Sequence, residues 1–352
     1  MRIIVFGLAV ALSCGSVMAG ESWREAPAGV PGAVLVTSAG PGEVTFDCVG
    51  YADVKARRKM TPDTVFWMAS NTKGVAAATV LSVVMDGKLD LDDPVEKYFP
   101  SWKKLEAKTR PTLRMLLAHT AGLDVFTDRP LPRPGMEALA ERAAEQPLKY
   151  EPGTKYLYSN WDIDVAVAMV EKVTGRPFDV EMRERIFKPL GMTDTTFVPN
   201  ADQKARRAIP YKLSDKAEPR PTEFVRTKLA KPYMNVGEHP EAGGGLLSTP
   251  RDMIKFFRMI ADGGKSADGK VIVSPELMQV WTTRQTPKSL KTSYSLGMQV
   301  SGDGRLSHGG AAGTWCEASM KSGRARLFLI NFDGENKALK AFRSEWMKKT
   351  SK

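Results

Sequence analysis

Strand-like segments lie at both ends of this chain, and helical patterns fill the middle. Near the start, Ala33-Val34-Leu35-Val36 and the run Val44 to Val49 flank the turn residues Ala39-Gly40-Pro41-Gly42. Near the end, strand-like runs cover 295–300, 304–308, 314–321 and 325–332, with Ser322-Gly323 as a turn, and 335–349 reads as a closing helix. Between them, Val75 to Met85 is apolar, of helical length, and stops at Asp86-Gly87. Pro111 to Ala118 puts Leu113, Leu116 and Leu117 on one face. Trp161 to Thr174 repeats Ile163, Ala166, Val167, Val170 and Val173 at helical spacing and ends at Gly175. Thr249-Pro250-Arg251-Asp252 is a capping signature that opens a helix carrying Met253, Phe256, Phe257 and Ile260. Strands from the two ends are therefore expected to build one lobe together, because a sheet must bury its faces. The expected architecture is α+β. An α/β lobe comes from about 20–85 and 265–352, and an all-α lobe from about 86–264 is inserted into it. A length of 352 residues suits one compact domain or two intertwined lobes.

The first residues read as a secretory signal spanning 1–19. Arg2 is the positive region, Ile3 to Leu12 the apolar region, and Val17-Met18-Ala19 a small-residue cleavage site before Gly20. The apolar stretch is too short to span a bilayer. Ala11-Leu12-Ser13-Cys14 departs from a lipobox, which favours plain export to a bacterial periplasm or beyond over a lipid anchor. The net charge of +11 favours weak contact with anionic cell-envelope surfaces. That charge is mostly dispersed and no nucleic-acid motif accompanies it, so no nucleic-acid partner is expected. The histidines are His119, His239 and His308, none with a second ligand at metal-binding spacing, so neither a metal nor another cofactor is expected. Beyond the leader the cysteines are Cys48 and Cys316; export permits a disulfide, but two cysteines do not make a disulfide framework.

Met68-Ala69-Ser70-Asn71-Thr72-Lys73 opens the first apolar helix. Residues i and i+3 share a helix face, so the Lys73 ammonium lies one turn above Ser70. An alcohol is a poor nucleophile until a base takes its proton, and an adjacent amine is such a base. A helix N-terminus also offers unbonded N–H groups and a positive dipole end to a developing oxyanion. The same pattern also fits a capping serine and a solvated lysine, so further motifs must decide.

Two follow in order. Tyr158-Ser159-Asn160 comes after the turn signal Glu151-Pro152-Gly153, and His308-Gly309-Gly310-Ala311-Ala312-Gly313 precedes a strand-like run. S-x-x-K, then Y-x-N, then a basic residue with glycines resembles the serine hydrolases of the class C β-lactamase family. That family also holds D-alanyl-D-alanine carboxypeptidases, D-aminopeptidases and family VIII-type esterases. The resemblance runs from about Gly32 to Phe332 and includes the segments Leu113 to Leu123 and Gly243 to Thr249. It implies a β-lactamase/transpeptidase-like fold, with an antiparallel sheet flanked by the terminal helices, a helical lobe beside it and the site in the crevice between them. It also implies that Ser70 is the nucleophile and that Lys73 and Tyr158 transfer protons, with the base left open between the two. Asn160 is expected to hold Lys73 and the substrate, although it also fits an N-cap of the next helix. By the resemblance, the Ser70 and Ala311 N–H groups form the oxyanion hole. His119, in an H-T-x-G-L segment, reads as a structural turn residue.

His308-Gly309-Gly310 stands where the family has K-T-G, whose lysine and threonine help hold a substrate carboxylate. Here the cation is a titratable imidazole, expected to be mostly neutral at pH 7 and to gain charge toward pH 6, and Gly309 has no hydroxyl. Gly309 and Gly310 are expected to let a substrate approach the backbone closely. The expected function is an exported serine hydrolase that cleaves a small-molecule or peptide ester or amide through an acyl-enzyme on Ser70. Esterase or D-amino-acid peptidase activity is favoured; the alternatives are a β-lactamase and a non-hydrolysing penicillin-binding protein. Residues 201–240 are expected to form a loop over the site.

Overall fold

The computed structural model describes residues 26–27, 29–124, 135–213, 219–221, 240–330, 332 and 337–350. The expected leader, any N-terminal flanking helix and most of the loop expected over 201–240 lie outside them. Seven strands form one antiparallel sheet in the order β3-β2-β1-β11-β10-β9-β8. They are β1 (Gly32–Gly40), β2 (Glu43–Asp53), β3 (Arg58–Lys59), β8 (Gln299–Val300), β9 (Leu306–Gly309), β10 (Trp315–Ser319) and β11 (Arg324–Ile330). Two short pairs stand apart: β4 (Phe66–Trp67) with β7 (Leu247–Ser248), and β5 (Tyr211–Leu213) with β6 (Pro219–Pro221).

The chain's two ends meet at the centre of the sheet, where Val34 faces Leu329 and Val36 faces Leu327 across β1 and β11. Both strands are nearly continuous apolar runs because both of their faces are covered. Ala33, Leu35, Phe328 and Ile330 point to one side and pack with Leu339, Phe342 and Trp346 of the C-terminal helix Lys337–Lys349. Val34, Val36, Leu327 and Leu329 point to the other side, into the main core. The edgeward strand β2 alternates more and is half exposed.

Helix α1 (Thr72–Met85) is apolar on every side, which fits its position in the middle of the core. It packs on α4 (Asn160–Thr174), which also contacts α2 (Leu113–Leu117) and α3 (Met136–Ala144). The helix Pro250–Ala261 lies on β1, β10 and β11, although it falls within the stretch expected to be an all-α lobe. Its apolar stripe suits a sheet as well as another helix, and periodicity alone does not choose between them. The strand expected over 295–300 shortens to β8. Gly297 turns the chain with φ +67°, and a Cβ there would come within 2.6 Å of the Lys73 carbonyl oxygen.

Cys48 on β2 and Cys316 on β10 have β1 and β11 between them. Three strand spacings separate them by roughly 14 Å, far beyond the roughly 7 Å Cα limit for a disulfide. Thiol titration of the unfolded, unreduced chain from residue 20 onward is expected to find both as thiols. A monomer with no reactive thiol would contradict this strand order.

Candidate active site

Ser70 sits in the 3₁₀ turn Ala69–Asn71, which runs directly into α1. Ala69 has φ +46°, a backbone conformation that non-glycine residues adopt at a cost, so its neighbours must hold it in place. The Thr72 hydroxyl donates to the Ala69 carbonyl at 2.6 Å and accepts the Leu246 N–H at 3.2 Å. The Asn71 amide donates to Thr314 Oγ1 at 3.0 Å. Just before the turn, β4 pairs with β7, and the Trp67 indole N–H donates to the Gly244 carbonyl at 2.6 Å. The glycine segment 243–245 and the start of β10 thus grip the Ser70 turn from two directions.

Lys73 is fully buried, which rules out the solvated-lysine reading. Its ammonium donates to Asn160 Oδ1 and to the Gly243 carbonyl, both at 2.5 Å, and lies 4.7 Å from the centroid of the Tyr158 ring. Asn160 is not the cap of α4. Ser159 takes that role, accepting the Trp161 N–H at 3.2 Å and donating to the Asp124 carbonyl at 3.0 Å. The Asn160 side chain is thereby left to Lys73. Gly243 is a partner of Lys73 that the sequence reading missed, because its contribution is a carbonyl. A Cβ there would collide with Asn160 at 2.8 Å, so glycine also makes room for the Asn160–Lys73 contact.

Burial raises the pKa of the Tyr158 phenol well above its usual value, and only the nearby Ser70 hydroxyl works against the rise. That contact is looser than a formed bond. The buried Tyr158 hydroxyl has no hydrogen-bond partner among the described residues. The resting phenol is therefore neutral at physiological pH and open to a partner that arrives with substrate. The Ser70 and Ala311 N–H groups likewise have no backbone acceptor among the described residues.

His308 lies on β9 with both ring nitrogens occupied. Nδ1 donates to the Gly309 carbonyl at 2.7 Å, and the Tyr294 hydroxyl donates to Nε2 at 3.0 Å. Burial, reinforced by the nearby Lys73 charge, lowers its pKa to about 3. This corrects the expectation that His308 gains charge toward pH 6: it stays neutral throughout that range. Tyr294, its partner, comes from an irregular segment with no motif to betray it. Gly310 is corrected too. A Cβ there would lie 2.2 Å from Thr314 Oγ1 and 2.6 Å from the Met68 carbonyl oxygen. Glycine at 310 therefore lets β9 close against the Ser70 turn; it does not leave space for a ligand. At Gly309 the tightest neighbour of an added Cβ is the Trp315 ring, at 3.3 Å.

The fold thus brings the three motifs together: Ser70 from the 3₁₀ turn and Lys73 from the first turn of α1, Tyr158 from just before α4 and Asn160 from its first residue, and the end of β9. The residues 23–344 match the Beta-lactamase family, and the chain belongs to it. It is a serine hydrolase of that family. It is 30% identical to Protein Rv1367c of Mycobacterium tuberculosis over 331 residues, covering 80% of this chain and 81% of that one. It is 31% identical to Esterase EstB of Burkholderia gladioli over 263 residues, covering 65% of each. Among solved structures it resembles EstCE1, described as a hydrolase with promiscuous acyltransferase activity. The TM-score is 0.75 at 21% identity, covering 91% of this chain and 94% of that one.

Proposed function

We propose that this chain is an exported esterase that works through an acyl-enzyme on Ser70. Lys73 and Tyr158 exchange the protons, the Ser70 and Ala311 N–H groups receive the oxyanion, and Asn160 and the Gly243 carbonyl hold Lys73. The observation that carries the reading is the buried Lys73 ammonium, pinned by Asn160 and Gly243 beside a phenol whose hydroxyl has no hydrogen-bond partner among the described residues. Proton transfer from serine needs such neighbours. The pattern of Arg2, Ile3 to Leu12 and Ala19-Gly20 supports export to the periplasm or beyond.

The preference for esters rests on the third motif. His308 is neutral and Gly309 lacks a hydroxyl, so the end of β9 offers little to a substrate carboxylate. A neutral short-chain ester needs only the nucleophile and the oxyanion donors. The similarity to Esterase EstB supports the same choice. The expected result is a higher kcat/KM for p-nitrophenyl butyrate than for nitrocefin or a D-alanyl-D-alanine peptide. The ratio of the ester to nitrocefin should also stay constant between pH 7.5 and pH 6. Changes in the catalytic groups largely cancel in that ratio, and His308 does not protonate in the window. Better turnover of nitrocefin or the peptide would overturn the ester assignment. A ratio that falls as pH falls toward 6 would show that a cation does form there.

A further inference from the structure

We infer that the buried pair His119 and Asp162 is a positioning unit for the Tyr158 phenol. His119 follows α2 in a left-handed backbone conformation, φ +57°, and is completely buried. Such strain in a non-glycine residue persists only where its surroundings fix it. Its ring is the hub of three tyrosines, with centroids 4.6 Å from Tyr158, 5.1 Å from Tyr294 and 6.0 Å from Tyr156. Tyr294 in turn holds His308, so one imidazole touches both the second motif and the support of the third. The His119 carbonyl accepts the Leu157 N–H at 3.0 Å, which fixes the backbone beside Tyr158. Its Nδ1 lies 2.9 Å from Asp162 Oδ2, in the first turn of α4 and two residues beyond Asn160.

The protonation of the pair follows from its surroundings. Burial raises the Asp162 carboxyl well above the usual range, against the pull of Lys73. Burial, reinforced by the Lys73 charge, lowers the His119 imidazole. The neutral pair is therefore the resting form, with the Asp162 acid donating to Nδ1. The Ser159 N–H also approaches Nδ1, at 3.4 Å, which agrees with Nδ1 as an acceptor. Nε2 then carries the proton, and it is buried with no partner among the described residues, like the Tyr158 hydroxyl in the same aromatic cage. A buried polar atom without a partner calls for an explanation, and these two belong to rings in contact beside a candidate nucleophile. The groups facing the imidazole are Lys73 from α1, Tyr156 and Tyr158 before α4, Asp162 on α4, Tyr294 before β8 and His308 on β9. Of these only Lys73 is a cation, and a neutral His119 keeps a second positive charge away from the phenol.

This inference rests on the proposed role of Tyr158, and its test separates the two. Asp162→Ala removes the donor and wets the imidazole. It should lower kcat for p-nitrophenyl butyrate at least tenfold with KM little changed. It should also add an acid-side ionisation that the wild type lacks. Asp162→Asn keeps an N–H donor to Nδ1 and should restore most of kcat and the wild-type pH profile. If Asp162→Ala does not fold, His119→Asn replaces it, since asparagine tolerates the left-handed backbone, and it should lower kcat in the same way. A folded Asp162→Ala or His119→Asn enzyme with wild-type kcat would overturn the inference. So would an Asp162→Asn enzyme as damaged as Asp162→Ala, because the pair would then work as an ionised couple. Dependence of turnover on Ser70 and Tyr158 is measured alongside; its loss would remove the proposed mechanism, whereas its persistence with an indifferent Asp162 removes only the positioning unit.

Discussion

Ser70→Ala is expected to abolish labelling by a fluorescent phosphonate and to lower kcat for p-nitrophenyl butyrate by roughly 10⁴- to 10⁶-fold, the scale on which loss of a serine nucleophile acts. The fold should persist. Ser70 is half-buried in a turn that other residues hold: the Thr72 hydroxyl bonds Ala69, Asn71 bonds Thr314, and Trp67 bonds Gly244. None of these contacts uses the Ser70 side chain. The variant removes only the hydroxyl and leaves the N–H groups of Ser70 and Ala311 able to bind an oxyanion. Residual turnover at the level of those donors alone is compatible with the proposal. Turnover close to wild type, or undiminished labelling, would take Ser70 out of the mechanism. Labelling of the wild type without hydrolysis would instead favour a penicillin-binding protein that acylates and stalls.

What the sequence made legible follows from how far each signal reaches along the chain. The runs at 33–36 and 325–332 announce strands buried on both faces, and their pairing at the centre of the sheet follows from that burial. The S-x-x-K spacing gives the Ser70 turn and the lysine one turn on, because helical geometry is local. The same spacing is silent on whether Lys73 meets water or core. That depends on Gly243 and Asn160, 170 and 87 residues away. Asn160 illustrates a local ambiguity: serine and asparagine both cap helices, and only the structure shows that Ser159 does so here. Tyr294 was invisible because a hydroxyl in an irregular segment carries no pattern. Gly310 carried a pattern, but its meaning lay in Thr314 and Met68, which the fold brings against it. The charge of His308 was misjudged for a similar reason. A reference pKa near 6.5 describes a solvated imidazole, whereas this one is enclosed beside Lys73. The buried state also has a consequence for stability. The unfolded chain binds a proton at His308 that the folded chain refuses, so this residue's contribution is intact above about pH 6.5 and is lost as pH falls toward about 3.

Lys73→Ala and Tyr158→Phe should each lower kcat by about 10²- to 10⁴-fold, the usual contribution of a positioned proton-transfer group. The double variant should be little worse than the more damaged single one. The argument is geometric. The Lys73 ammonium lies 4.7 Å from the Tyr158 ring centroid, and Ser70 is the side chain that opposes the upward shift of the phenol. The pair can take the Ser70 proton only after giving one up, as amine beside phenol or as ammonium beside phenolate. In the first form the proton goes to Lys73 directly or through Tyr158, and in the second it goes to a phenolate that the adjacent ammonium stabilises. Either route needs both groups, and residues that act as one unit give losses that do not add. Tyr158→Phe keeps the ring that packs on His119 and removes only a hydroxyl with no hydrogen-bond partner among the described residues, so stability should change little. Lys73→Ala differs, because it leaves Asn160 Oδ1 and the Gly243 carbonyl without their donor in a buried site. Thermal unfolding of each variant must therefore accompany the rates. If the two losses multiply in full in folded protein, Lys73 and Tyr158 act independently, and the proton path from Ser70 runs through only one of them.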